Sequence, residues 1–125
     1  MTDLERKQMV IYIENYRKAL PAFLQTHWNN WIKTRDVVSK KLNLTQDQLL
    51  YITKRHIIGL VVGTLREGSG FNKLGPTKFA KIKGNTKLLI KMNELVTTRQ
   101  SIEKIIPNTI KRFDAEMDKQ NKKSR

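Results

Sequence analysis

Cysteine is absent from this chain, which excludes a disulfide scaffold and any thiolate metal site. Acids are scarce: 11 Asp plus Glu stand against 25 Lys plus Arg, for a formal charge of +14 at pH 7 over 125 residues. The few carboxylates are scattered, so they do not supply the cluster that a two-metal nuclease needs. His27 and His56 have neither a carboxylate nor a second histidine at the spacing of a helical metal motif, so each reads as a polar boundary residue and no metal or cofactor is expected. No nucleophile, base and orienting group can be picked out, and the chain reads as a binder and not an enzyme. Long apolar runs are missing as well: the longest, Ile57 to Val62, is interrupted by Gly59 and is far shorter than the roughly 20 residues of a membrane span. The opening MTDLERKQ is charged where a signal peptide is apolar. The expectation is an intracellular protein, cytoplasmic or nucleoid-associated, with no membrane partner.

What is present is helical periodicity. Thr2 with Glu5 forms a capping box, and Met9, Ile13, Tyr16 and Leu20 follow at helical spacing. Pro21 breaks that helix and starts another carrying Phe23, Leu24, Trp28, Trp31 and Ile32. The tryptophans fall at core spacing. Thr34 is placed to cap a short helix through Leu42, and Thr45 with Gln48 forms a second capping box opening a helix to about Leu65. The far end of that helix, IIGLVVGTL, is rich enough in β-branched residues to permit a strand, but no second strand is available to pair with it. Thr86 caps a helix with an approximate heptad at Leu88, Met92, Leu95, Ile102 and Ile106, with Arg99 intruding. Pro107 ends or bends it, and Ile110, Phe113 and Met117 mark a last amphipathic piece. The fold class is therefore all-α: a single-domain bundle of about five helices over residues 1–117, followed by a basic polar tail, 118–125.

The segment TRDVVSKKLNLTQDQLLYITKRH carries the most specific pattern. With Asn43 as the turn residue, Val38, Leu42, Leu44, Leu49 and Ile52 fall at core positions of two helices, and Asn tolerates the left-handed backbone such a turn requires. Over residues 35–54 this resembles the helix-turn-helix of DNA-binding regulators. The resemblance implies that Thr45, Gln46, Gln48 and Tyr51 face base edges, with Lys54 and Arg55 on the same helix near the phosphates. Read without it, the same leucines make an ordinary helical hairpin. The helix start Leu44 to Leu49 and the later Gly63 to Arg66 are also similar to elements of the ProQ/FinO family of RNA-binding domains, which implies structured RNA as the ligand.

Between Gly68 and Asn93 there is no acid, while Lys73, Lys78, Lys81, Lys83, Lys87 and Lys91 accumulate. The stretch Gly70 to Thr77 has the glycine spacing of a phosphate-binding loop but places Pro76 where the lysine must stand, so nucleotide hydrolysis is excluded. Its glycines read as turn formers and its lysines as a clamp on a phosphate backbone, folded beside the helix-turn-helix. A membrane-surface helix needs a broad apolar face, for which only Phe79 and Ile82 are available. Nucleic acid is the expected partner, DNA before RNA. An adaptor docking on an acidic protein is the other class, and Leu88, Met92, Leu95, Ile102 and Ile106 are the candidate seam for a homodimer or a protein partner.

Overall fold

A computed structural model describes residues 1–67 and 86–123, apart from the side chains of residues 65–67, 86, 88, 89 and 123. The described residues form five α-helices and no strand: α1 (Asp3–Lys18), α2 (Ala22–Leu42), α3 (Gln46–Glu67), α4 (Thr86–Ile105) and α5 (Pro107–Lys123). The all-α expectation holds. The Gly/Lys-rich segment between α3 and α4 lies outside the described residues, and so do Lys73, Lys78, Lys81 and Lys83.

Local chemistry explains the boundaries. Thr2 and Glu5 exchange the two hydrogen bonds of a capping box at the start of α1 (3.1 and 3.3 Å). Pro21 sits as the N-cap of α2, with its carbonyl accepting from Leu24 and Gln25. From there α2 runs unbroken to Leu42, so no helix begins at Thr34. The Thr34 hydroxyl instead donates to the Asn30 carbonyl one turn back (3.4 Å), which satisfies it within a helix interior.

At the end of α2, Asn43 adopts the left-handed conformation (φ 56, ψ 49). Its N–H donates to Lys40 O and that of Leu44 to Ser39 O, the paired bonds of a Schellman motif that close the last turn. Thr45 and Gln48 then form the second capping box, at 2.9 and 3.1 Å. IIGLVVGTL is helical throughout. Gly59 within it lets the Arg99 guanidinium of α4 lie close, since a Cβ at that position would stand 3.2 Å from Arg99 Nη1. Pro107 ends α4 and opens α5. Residues 118–123 continue α5 and do not form a separate tail; the Gln120 side chain donates to Glu116 one turn back (3.1 Å).

Packing places α3 at the centre. It lies mainly against α1 and α4, while α2 packs mainly on α5. Ile52, Ile57, Ile58 and Val62 of α3 are buried, with Thr53 between them. Around it gather Val38 of α2, Met92, Leu95 and Ile102 of α4, and Ile110, Phe113 and Met117 of α5. A second cluster joins Ile13, Leu20 and Trp28 to Ile57. Met92, Leu95 and Ile102 are thus buried inside their own chain, which corrects their placement in a seam for a second copy or a partner. Ile106 is half-buried against the same core, and the Leu88 side chain lies outside the described residues. No helix among the described residues is long and apolar enough to cross a membrane.

Candidate nucleic-acid interface

A helix that enters a groove must present a free face, and α3 does not. Among its described side chains, Gln46 alone is exposed. The Thr45 hydroxyl accepts from the Gln48 N–H in the cap. Gln48 also donates from Nε2 to the Thr109 hydroxyl of α5 (3.4 Å), and Tyr51 packs against the core. The Lys54 ammonium lies 4.5 Å from the centre of the Tyr12 ring, and burial lowers its pKa. Arg55 donates to Glu103 (3.0 Å) and to both oxygens of Asp114 (3.3 Å each). Asp47 belongs to the fold too: Arg6 hydrogen-bonds it at 2.7 Å, and that bond holds its carboxyl below the usual carboxylate range. Of the four side chains that the resemblance assigned to base edges, Thr45 and Gln46 are therefore exposed, while Gln48 and Tyr51 are half-buried and engaged within the fold.

Of the expected lysine clamp, only Lys87 and Lys91 lie among the described residues, and they stand away from Gln46. Lys87 and Lys91 are exposed at the start of α4. Because α4 runs back along α3, with Arg55 bonded to Glu103 and Gly59 beside Arg99, Lys91 shares a cleft with Val61, Thr64 and Tyr16. That cleft is roughly 20 Å along α3 from Gln46 at the helical rise of about 1.5 Å per residue. There the Lys91 ammonium stands 5.5 Å from the Tyr16 ring centre, and hydrogen bonding to Tyr16 raises its pKa.

The free positive charge lies elsewhere. The carboxylates are held mainly by arginine: Arg6 by Asp3 and Asp47, Arg17 by Glu14, Arg35 by Asp36, Arg55 by Glu103 and Asp114, and Arg99 by Glu103. Among the described lysines, Lys41 alone joins a carboxylate, with its Nζ 2.7 Å from Glu116 Oε1. Arginine's planar fork suits fixed pairs, whereas a lysine on a flexible stem loses entropy for little gain.

That one lysine pair organises a patch. Glu116 is buried on α5, and the bond from Lys41, followed by that from Gln120, lowers its pKa. Arg112 and Lys119 lie one turn to either side of Glu116 along the helix, with Lys122 one turn beyond Lys119, and all three are exposed. Lys40, also exposed, is the neighbour of Lys41 on α2. The buried Glu116 therefore sits beneath the cations of two packed helices, with the exposed Asp118 one turn before Lys122, and the site still carries net positive charge. Lys119 and Lys122 lie in the stretch read from the sequence as basic; that reading left out Lys40 and Arg112, although Ile110, Phe113 and Met117 define the buried stripe of α5, which assigns Arg112, Lys119 and Lys122 to the outer face.

His56, expected as a boundary residue, is half-buried. Its ring stacks on Trp31, with centroids 3.9 Å apart and planes at 7°, and its Nε2 is buried without a hydrogen-bond partner. Burial, and then the nearby His27, Arg55 and Arg99, drive its pKa down to about 3, so the ring is neutral at physiological pH. Among the described residues no three His, Cys, Asp or Glu side chains converge to hold a metal. Comparison with protein-family models, with characterised proteins and with solved structures finds no match.

Proposed function

We propose that the protein binds nucleic acid through its phosphate backbone, with Lys40, Arg112, Lys119 and Lys122 as the anchoring contacts and without base readout from α3. The observation that carries this reading is the division of labour among the cations: in a chain of formal charge +14, arginines neutralise most of the carboxylates and lysines remain unpaired on the surface. Unpaired surface cations on this scale repel one another, and a polyanion that releases counterions on binding relieves that repulsion. Lys87 is exposed at the start of α4, and the acid-free segment before it adds Lys73, Lys78, Lys81 and Lys83 to the charge of the chain.

The test is a binding titration against duplex DNA, structured RNA and single strands over a salt series. Four duplex phosphate contacts give a log-log slope of roughly −3.6, at about −0.9 per contact. Preference for duplex DNA supports a DNA-associated accessory factor, and preference for folded RNA supports a ribonucleoprotein component. Absence of binding to all three at low salt rejects the reading.

A further inference from the structure

A groove runs between α1 and α2 and is floored by the first turns of α3. Val10 and Ile13 of α1, Trp28 and Ile32 of α2, and Leu49 and Leu50 of α3 line it. Its volume is about 530 Å³, within the range of roughly 300–1,000 Å³ of ligand-sized clefts. Val10 is 52% exposed there although it is wholly apolar. Val10 and Ile13 are three residues apart and Trp28 and Ile32 four, so α1 and α2 present apolar rows on either side of Leu49 and Leu50, the shape that receives the stripe of another helix.

The charged groups in the groove are already paired. Arg17 is paired with Glu14 on the α1 rim. Arg35 bonds Asp36 (2.7 Å) and the Thr53 hydroxyl (3.1 Å), and that hydroxyl donates in turn to Leu49 O (2.7 Å). A phosphate backbone finds no free cation inside: beside the apolar surface, only the uncharged Asn29 and Gln46 remain to be covered. One turn outward the character changes. Lys7 precedes Val10 by three residues, Lys18 follows Glu14 by four and adds to the lowering of that carboxyl's pKa after Arg17, and Lys33 follows Asn29 by four; all three are exposed, and none is within ion-pair distance of a carboxylate among the described residues. A second copy of a chain of charge +14 is a poor occupant of such a rim.

We propose that this groove receives an amphipathic helix of an acidic partner protein, whose apolar stripe lies on Val10, Ile32 and Leu50 and whose flanking carboxylates meet Lys7, Lys18 and Lys33. The surface is distinct from the phosphate-binding patch on α2 and α5, so the two partners can be tested separately.

The probe is a synthetic capped peptide of about five helical turns, with leucines at i, i+3, i+4 and i+7 and glutamates on the flanks. It is titrated into the full chain labelled for NMR. The expected result is saturable binding, with the largest shifts at Val10, Ile13, Ile32, Leu49 and Leu50. Val10→Glu, at an exposed position, should weaken binding at least about tenfold, as loss of an apolar anchor does, with the helical circular dichroism unchanged. Replacing Lys7, Lys18 and Lys33 together by Gln should weaken it several-fold and flatten its salt dependence. The proposal is overturned by an absence of saturable shifts, or by equal binding of a lysine-flanked peptide. Equal binding of a glutamate peptide with serines in place of its leucines, shifts centred on Arg112 and Lys119, or self-association of the free protein through the groove residues would overturn it as well.

Discussion

α3 and α5 each carry basic side chains beside an apolar surface, yet they put those cations to opposite uses. On α3, Lys54 lies over Tyr12 and Arg55 ties α3 to α4 and α5 through Glu103 and Asp114. On α5, Lys111, Arg112, Lys119 and Lys122 all face solvent, and the helix's buried carboxylate, Glu116, draws in Lys41 from α2. The difference is one of position. A helix covered on several sides must neutralise its charges internally, because an unpaired buried charge is costly. A helix packed on one side leaves its outer charges solvated and free to meet another molecule. A lysine or arginine on a helix is therefore evidence of a binding face only after the helix's own coverage is known.

The contrast can be broken at several points. The largest effect belongs to the covered helix: Ile58→Ala, at a fully buried site, should cost about 3–4 kcal/mol of unfolding free energy in urea melts. Next comes the patch. Replacing Lys40, Arg112, Lys119 and Lys122 by Gln should leave stability within about 0.5 kcal/mol while weakening duplex binding by about a hundredfold at low salt. Gln46→Ala with Gln48→Ala should leave affinity and sequence preference unchanged. Arg55→Met removes the tie to Glu103 and Asp114 and should cost about 1–2 kcal/mol, less than a fully buried pair because those carboxylates are half-exposed.

The effect of pH on His56 is smaller per unit and has a definite sign. Its pKa falls from 6.5 to about 3 on folding, so between these values the unfolded chain holds the proton and the folded chain does not. Stability should then fall as pH drops through that window, with a slope approaching about 1.4 kcal/mol per pH unit, the limit for one proton. The lowered carboxyls of Asp47 and Glu116 add their own loss at the acid end. His56→Phe keeps a ring against Trp31 and should remove the part of the slope nearest pH 6; an unaltered slope in that variant would contradict the assignment. The smallest effect is at the turn. Asn43→Ala should cost about 1 kcal/mol and Asn43→Gly almost nothing, since the residue must hold a left-handed backbone.

The parts of this fold that are legible in the sequence are those set by local hydrogen bonding. Thr2 with Glu5, Thr45 with Gln48 and the left-handed Asn43 each act within a few residues, so reading them needs no knowledge of the tertiary structure. Thr34 misled because the hydroxyl that can cap a helix can equally bond the preceding turn inside one. The central place of α3 depends on long-range packing, yet a trace of it was visible. Ile52, Thr53, Ile57, Ile58 and Val62 spread around the whole helix circumference and not along one stripe, the pattern of a helix covered on all sides. The helix-turn-helix spacing matched only one stripe and did not weigh the others. The patch at Glu116 was hidden for a different reason: it joins α2 to α5 across 75 positions of sequence, and no local pattern records that pairing.

The central claim is that cations left unpaired on the outer helices, and not those on α3, meet the phosphates. Mapping amide shifts on the labelled protein as short duplex DNA is added tests it most directly. The largest shifts should fall at Lys40, Lys41, Arg112, Lys119 and Lys122 and fade as salt is raised. Shifts confined to residues 45–55 would contradict it.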